Sequence, residues 1–501
     1  MTPSVSPTLS YFRDLDRRWY LRGLTLVVVV ALVASATALS VAYEPPELEP
    51  GNVDQQANGT TIVAVQGFHF KGEGDKKKPA RLVGLDPEGN VDWVYNGSER
   101  GASWFYDSDP LPNGDILAVN TMQRDGQGVT QVYRLDPETK ERDWEVTLDL
   151  TDTHDVDLIN GDQLLVANMR QWNGSADVSN DRLAIYDISG VINGSQDEVT
   201  EDDVVWEWQF KDHYPNETEG GMNEDWTHVN DVDEIAPGEY LASPRNFDQV
   251  IVVNRSTGEI DLQLGSDGDH DVIHEQHNPM YLETDDGTPT ILVADSENDR
   301  VVEYTCTETA DDDCEWERVW TVGEDQLNWP RDADRLPNGN TLIVDSMGHR
   351  VVEVTPKGKI VWESYVPWAP YDVERMVYGD EGDQVYDDPS DAPTMRDMDV
   401  SGTYELQNSS GLTAGTEGGE QTFPQWLKVT FGGTPLEGPI FEFAELWESG
   451  SQWAKPVWMA PWSLVYLTAA ALLVLGWAAA ELVFQRRQIG RVVRRAAARL
   501  G

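Results

Sequence analysis

The 501-residue sequence has only 2 cysteines, too few for a disulfide framework or a cysteine-rich metal centre. Basic residues are scarce as well. Its 36 Lys and Arg stand against 89 Asp and Glu, a formal net charge of −53. Such a surface repels nucleic acid and anionic headgroups, which excludes DNA or RNA as a partner. Hydrophobic residues are not lacking: they make up 40% of the chain, and the acids lie between apolar runs, so the composition is that of a folded protein. With Gly 42 and Trp 19, tight turns and large packing anchors are plentiful. An even acidic coat with few lysines points to life in high salt, where screening removes the self-repulsion.

Apolar runs long enough to cross a hydrocarbon core of ~30 Å occupy residues 24–43 and 457–484, the second uncharged as far as Ala480. Arg13, Arg17, Arg18 and Arg22 precede the first, in a segment 1–23. Arg486, Arg487, Arg491, Arg494, Arg495 and Arg499 follow the second, in a tail 485–501. Positive charge on both terminal sides predicts two cytoplasmic ends in a cell membrane, with the intervening chain outside. A cleaved signal peptide is the alternative for the first run, since ASATALS offers small residues. Sequons at Asn58, Asn96, Asn173, Asn193, Asn216, Asn254 and Asn408 all fall between the runs and predict a glycoprotein. Cys306 and Cys314, in TCTETADDDCEW, are expected to close a small hairpin as a disulfide in an oxidising compartment. With no His or third Cys nearby, a metal site there is the weaker reading.

Between the runs the sequence repeats. The copies, aligned on their turns, are QQANGTTIVAV, YDSDPLPNGDILAVN, HDVDLINGDQLLVAN, NDVDEIAPGEYLASP, HNPMYLETDDGTPTILVADS and RDADRLPNGNTLIVDS. Each is followed by two further strand-like runs, so each unit reads as four short antiparallel strands. Units of this kind bury both faces only by radial packing, which predicts an all-β, six-bladed β-propeller over 52–376 flanked by two transmembrane helices. A β-sandwich array is the competing architecture, but the repeat carries its turn chemistry in register. The tail 377–456 reads as an acidic, loop-rich linker, in which WLKVTF and PIFEFAELW are expected to be strands or a short interfacial element.

In the turn alignment Tyr106, His154, Asn230, His277 and Arg331 share one position, each followed by an acid or amide: Asp107, Asp155, Asp231, Asn278 or Asp332. The first copy has Gly51 there and is expected to lack the pattern. The innermost strand of a blade lines the channel, so this position should form a ring around one channel mouth. His228, two residues ahead of Asn230, would face the same side of a strand. The recurring aspartates are expected to accept backbone N–H bonds and to point away from the channel. The ring residue instead changes type from blade to blade while staying polar, as a ligand site does. Arg300 in DSENDRVVEY and Arg350 in DSMGHRVVEV are internal copies, similar to the hairpin of NHL-type propellers in which the Arg braces the blade.

Three stretches carry a family resemblance: WTHVN, then YLASPRNFDQVIVVNRSTGEI, then EQHN. They resemble the arylsulfate sulfotransferases, six-bladed propellers acting outside the cytoplasm, with a W-x-H-x-N blade start, a "yLvS-R" strand and a Q-H pair in the next blade. The resemblance covers roughly 225–376. It implies transfer of a sulfuryl group from a phenolic sulfate ester to a phenolic acceptor through a sulfo-histidine, with no cofactor and no metal. It also implies catalytic roles for His228, His277 and Arg300, to which the ring alignment adds Arg331 as catalytic and Tyr106, His154 and Asn230 as substrate-binding. A neutral imidazole would attack sulfur while cationic donors hold the sulfonate oxygens. The family's covalent histidine lies in a later blade, where this chain has Arg331, so the nucleophile here is His228 or His277.

Two other readings compete. One is a non-catalytic NHL- or quinoprotein-like propeller binding an extracellular anionic ligand or protein partner. The other is a central-metal hydrolase using Asp107, Asp155, Asp231, Asn278 and Asp332, disfavoured if those side chains turn away from the channel. The charge reading makes its own prediction: the melting temperature rises between dilute buffer and molar salt, and an unchanged midpoint would refute it.

Overall fold

The computed structural model describes residues 17–45, 47–68, 77–196, 198–310, 313–324, 326–378, 392–410 and 422–500. They form two compact units, 46–419 and a second made of the two chain ends.

The first unit is a six-bladed propeller. Runs such as TIVAV, LLVA and ILVA are apolar at consecutive positions because each strand is buried on both faces. Period-two alternation then sends neighbours to opposite sides. Val63 and Val65 pack toward blade six, with Leu342 and Val344, whereas Ile62 and Ala64 pack toward blade two, with Ile116 and Ala118. Each interface between neighbouring blades holds its own apolar cluster. Every fully buried Val, Leu or Ile contributes roughly 1.5–3 kcal/mol.

Blades two to six run in chain order from inner to outer strand. Blade two is Ala102–Pro110, Ile116–Arg124, Gln127–Leu135 and Arg142–Leu148. Blade three is Val156–Ile159, Gln163–Asn168, Arg182–Asp187 and Val204–Gln209. Blade four is Val229–Ala236, Glu239–Pro244, Gln249–Asn254 and Ile260–Gly265. Blade five is His277–Glu283, Pro289–Asp295, Arg300–Ala310 and Asp313–Val322. Blade six is Pro330–Arg335, Thr341–Asp345, Arg350–Val354 and Ile360–Tyr365.

Blade one is built from both ends of the domain. Its outer strands are Thr61–Val65, Arg81–Leu85 and Val91–Asn96, but its inner strand is Pro370–Arg375, antiparallel to Thr61–Val65. This corrects the expectation for the first copy. Gly51 belongs to Glu49–Val53, an extra outer strand of blade six, and packs against Glu363. The ring position of blade one is filled by Tyr371.

Tryptophans on outer strands tie three of the blades to the next. Trp208 Nε1 donates to Gly258 O (2.9 Å), Trp320 Nε1 to Pro356 O (2.9 Å) and Trp362 Nε1 to Pro87 O (3.2 Å). The duplicated D-S-x-x-x-R-V-V-E segment is a brace. Arg300 Nε donates to Asp295 (2.6 Å) and Arg350 Nε to Asp345 (2.6 Å), within the hairpin. The Glu of each copy pairs with an Arg from the next inner strand, Glu303 with Arg335 (2.8 Å) and Glu353 with Arg375 (2.9 Å). Cys306 and Cys314 form a disulfide at the far end of blade five's outer hairpin, with Cα atoms 5.2 Å apart.

Of the tail expected to be a linker, residues 379–391 and 411–421 lie outside the described residues. Residues 392–410 pack on the propeller. Ala392 and Met395 enter the interface between blades five and six, and Gly402–Tyr404 runs parallel to Asp313–Val322.

The second unit is helical. WLKVTF and PIFEFAELW fall in helices, Phe423–Phe431 and Glu437–Ala454. The overlooked signal was a capping box: the Thr422 side chain accepts from Gln425 N, with Pro in the first turn. Helices Arg17–Ala42 and Pro461–Leu500 contain two segments long and apolar enough to cross a membrane, Trp19–Ala42 and Pro461–Phe484. They run antiparallel. Arg22 donates two bonds of 2.7 Å to Glu481 at one end, and Ser463 Oγ donates to Ala36 O (2.8 Å) toward the other.

Arg335 and Glu303 have fully buried side chains. Glu303→Ala strands that guanidinium away from its carboxylate and should destabilise the propeller by about 3–5 kcal/mol. Chemical denaturation checks this, and an unchanged midpoint would contradict the bracing role.

Candidate functional site

A regular strand cannot aim both a ring residue and the acid after it at the channel. The pairing slips to allow it. Tyr106 is the extra residue between Phe105 and Asp107, Arg331 between Pro330 and Asp332, and Tyr371 between Pro370 and Asp372. Blades four and five slip at the same place, between Val229 and Val232 and between His277 and Met280. Such bulges re-aim a side chain. They overturn the expectation that the acids turn away: Asp107, Asp155, Asp231, Asn278 and Asp372 line one channel with His154, Asn230 and Tyr371.

Those acids do accept backbone N–H groups, and they do so between blades. Asp107 takes Val156 N (3.4 Å), Asp157 takes Glu234 N (3.0 Å), Asp332 takes Val373 N (2.8 Å), and Asp155 takes Val232 N. Burial, then the neighbouring carboxylates Asp107, Asp231 and Asp157, pushes the Asp155 carboxyl well above the usual range.

Above this belt, five of the six inner strands are preceded by a residue in left-handed conformation, two positions before the ring. These are Asp152 (φ 63°), His228 (φ 43°), Glu275 (φ 45°), Trp329 (φ 54°) and Ala369 (φ 52°). Non-glycine residues hold this geometry only where surroundings enforce it, at about 1–3 kcal/mol each. In three blades the enforcement is an aspartate just before the third strand of the preceding blade. Asp181 accepts Thr227 N (3.2 Å), Asp248 accepts Glu275 N (2.9 Å) and Asp299 accepts Trp329 N (2.9 Å). His228 therefore reaches the channel mouth from a turn, not by strand alternation as expected. Its ring stands 5.1 Å from that of His154.

The ring residues meet. Tyr106 stacks against His154 at 4.0 Å between centroids and donates to Asp152 (2.5 Å). The Tyr371 hydroxyl is hydrogen-bonded to His154 Nδ1 (2.8 Å), and its ring lies 5.8 Å from that of His277. Arg331 lies between the Trp329 and Tyr371 rings (4.0 and 4.6 Å) and donates to Gln66 (2.9 Å). Asn230 donates to Gln276 O (2.9 Å).

Hydrogen-bond partners identify the tautomers. Ser296 Oγ gives its proton to Pro330 O (2.6 Å), so it accepts from His277 Nδ1 (2.8 Å). His277 Nε2 therefore carries the lone pair, and it is buried with no hydrogen-bond partner among the described residues. His228 Nδ1 lies 2.8 Å from Asp225, and its Nε2 faces Arg245 Nη1 at 3.3 Å. A guanidinium only donates, so that Nε2 also bears a lone pair. All three imidazoles are held neutral well below their ordinary range. For His277 the cause is burial first, then Arg331 and Arg245; for His228, burial, then Arg245 and Arg170. For His154 it is burial, then His228 and Arg331.

Of the residues singled out in the sequence, His154, His228, Asn230, His277, Arg331 and Tyr106 come together. Arg300 does not: its guanidinium is taken up by Asp295, Glu324, Asp271 O and Val272 O, as a blade brace. Sequence reasoning missed Tyr371, Arg245 and Arg170. Tyr371 opens YDVER, a displaced copy of the HDVD and RDADR pattern. Arg245 follows the strand in YLASPRNF and reaches Glu275 (2.8 Å) as well as His228. Arg170 joins Asp152 (3.1 Å) to Asp225 (3.2 Å) with no sequence signal that separates it from other arginines.

Three solved structures show a distant likeness. A protein of unknown function from Bacteroides caccae shares 13% identity, covering 63% of this chain and 98% of that one, with a TM-score of 0.40. A streptogramin B lyase shares 12%, covering 67% and 92%, with a TM-score of 0.37. Virginiamycin B lyase from Staphylococcus aureus shares 10%, covering 65% and 92%, with a TM-score of 0.35. Likeness at this level says nothing about chemistry. No curated protein matches the chain. The arylsulfotransferase (ASST) family matches residues 109–366, which span the ring positions from His154 to Arg331. With more than half its length inside that match, this chain belongs to the arylsulfotransferase family.

Proposed function

We propose that this protein is a membrane-anchored arylsulfotransferase whose propeller faces outward and moves a sulfuryl group from an aryl sulfate to a phenol. The observation that carries the reading is His277: a buried, neutral imidazole with an unpartnered Nε2 among the described residues, beside the cations Arg331 and Arg245. In the first step the Nε2 lone pair attacks sulfur, an N–S bond forms, and the S–O bond to the aryl group breaks. The phenolate leaves as an anion, its charge offset by the two guanidinium groups, and takes its proton from solvent. In the second step the acceptor oxygen attacks sulfur, the N–S bond breaks, and the phenolic proton passes to His228 Nε2, which returns it to solvent. Asp225, 2.8 Å from His228 Nδ1, stabilises the imidazolium formed on the way.

Outward orientation is supported by the Cys306–Cys314 disulfide, which persists in oxidising compartments, and by arginines flanking both apolar helices on their terminal sides. The antiparallel pairing of those helices agrees with both chain ends being on one side.

Full-length protein in detergent and molar salt should release nitrophenol from 4-nitrophenyl sulfate only when a phenol acceptor is present. His277→Ala should lower this turnover by roughly 10⁴-fold or more, and a sulfuryl adduct on the His277 peptide should be detectable before acceptor is added. Acceptor-independent release, or full activity in His277→Ala, would refute the assignment. A correctly folded wild type with no turnover would favour the non-catalytic anion-binding propeller.

The imidazole pKa is depressed, so His277 is neutral and competent above it. The rate should therefore stay flat from about pH 8 down to about pH 6 and fall only at more acid pH. Arg331→Met removes one cation holding that pKa down. It should lower kcat by ~10²–10³-fold and move the acid limb upward. An acid limb that does not move would contradict the role given to Arg331.

A further inference from the structure

Outside the channel, the loop Ser266–Gln276 between blades four and five carries two histidines that the transfer reaction does not use. Their rings stack in parallel, 3.7 Å apart with planes inclined by 11°, so sharing one ion requires the exposed His270 ring to turn out of the stack until both in-plane lone pairs meet. His270 Nε2 lies 3.2 Å from Asp248 Oδ2. One ligand atom each from Asp248, His270 and His274 falls within 4.8 Å of the others, a grouping of metal-ligand type and spacing among the described residues. The three differ in burial. Asp248 is buried and held by bonds from Glu275 N (2.9 Å) and Gly268 N (3.1 Å), while the His270 side chain is 53% exposed. One ligand is thus fixed, and another is open to solvent, where an ion would arrive. Two imidazoles and one carboxylate suit a borderline divalent ion such as Zn²⁺. Tetrahedral bonds of about 2.0 Å separate ligand atoms by roughly 3.3 Å, close to the spacing of His270 and Asp248.

We propose that Asp248, His270 and His274 form a binding site for a divalent transition-metal ion of the zinc class, completed by solvent. The ion clamps the loop that leads into blade five. Asp248 holds the backbone of Glu275, and Glu275 both pairs with Arg245 (2.8 Å) and stands two residues before His277. Metal at this place ties the loop to the hairpin of blade four from a second direction and steadies the lead-in to the channel mouth. Its role is positioning, because none of its ligands touches the channel ring.

The test uses full-length protein with Zn²⁺ alone, and with Co²⁺ as a spectroscopic probe, in the absence of any sulfate ester. Wild type should take up a single tightly bound ion and gain thermal stability from it, with Co²⁺ giving visible bands of a low-coordinate N/O site. The exposed position of His270 makes His270→Ala safe for folding. That variant, alone or with His274→Ala, should weaken binding by about 100-fold or more and lose the metal-dependent gain in melting temperature. His228→Ala and His277→Ala should bind as wild type does. Undiminished binding in the His270/His274 variant, loss of binding in a channel variant, or no uptake by wild type would each overturn the proposal. Because the readout is metal binding, it is independent of whether sulfuryl transfer is observed.

Discussion

The pairing of Pro370–Arg375 with Thr61–Val65 is the contact on which the rest of the propeller depends. A sheet of this kind left open would expose two inner-strand edges and the apolar faces of its first and last blades. Closing it from both ends of the domain buries those faces against each other in one more interface. The same closure brings Tyr371 to the mouth of the channel, where its hydroxyl orients His154 and its ring supports Arg331. Site and fold are therefore completed by one act of pairing. Damage to either terminal strand reaches the channel even though the strands meet far apart in sequence.

A channel of this composition must reconcile opposite charges at short range. Below the mouth, carboxylates crowd one another and are held by N–H groups of adjoining blades, and burial drives Asp155 toward its protonated form. At the mouth, burial first and then three surrounding guanidinium groups keep three imidazoles neutral. Within a chain of net charge −53, these guanidinium groups are where the proposed anionic ester would settle. Neutral imidazole beside fixed cations is also the state that nucleophilic attack on sulfur needs.

The loops that hold the ring residues are positioned from behind. Asp181, Asp248 and Asp299 sit between the second and third strands of their blades, yet each grips the backbone just ahead of the next blade's ring residue. Left-handed backbone at His228, Glu275 and Trp329 is sustained by these bonds. A substitution in a hairpin aspartate would thus act on the channel at a distance, through loop geometry rather than contact with substrate.

Much was legible in sequence because the propeller repeats a local pattern. Turn chemistry and alternation predicted six blades, and variation at one aligned position picked out Tyr106, His154, Asn230, His277 and Arg331. Those inferences needed only short-range regularity, which side-chain period and turn residues encode directly. Three matters lay beyond it. The inner strand of blade one comes from residues 370–375, so alignment on the first copy found Gly51 where the fold has Tyr371. Strand alternation assigned the acids after the ring to the wrong side, because bulges admit both neighbours to the channel. Arg300, favoured by resemblance, is consumed by its own hairpin, while Arg245 reaches His228. Long-range closure, register slips and the partner that a guanidinium finds are set by how distant segments meet. Local pattern carries no record of that, and only the tertiary structure decided it.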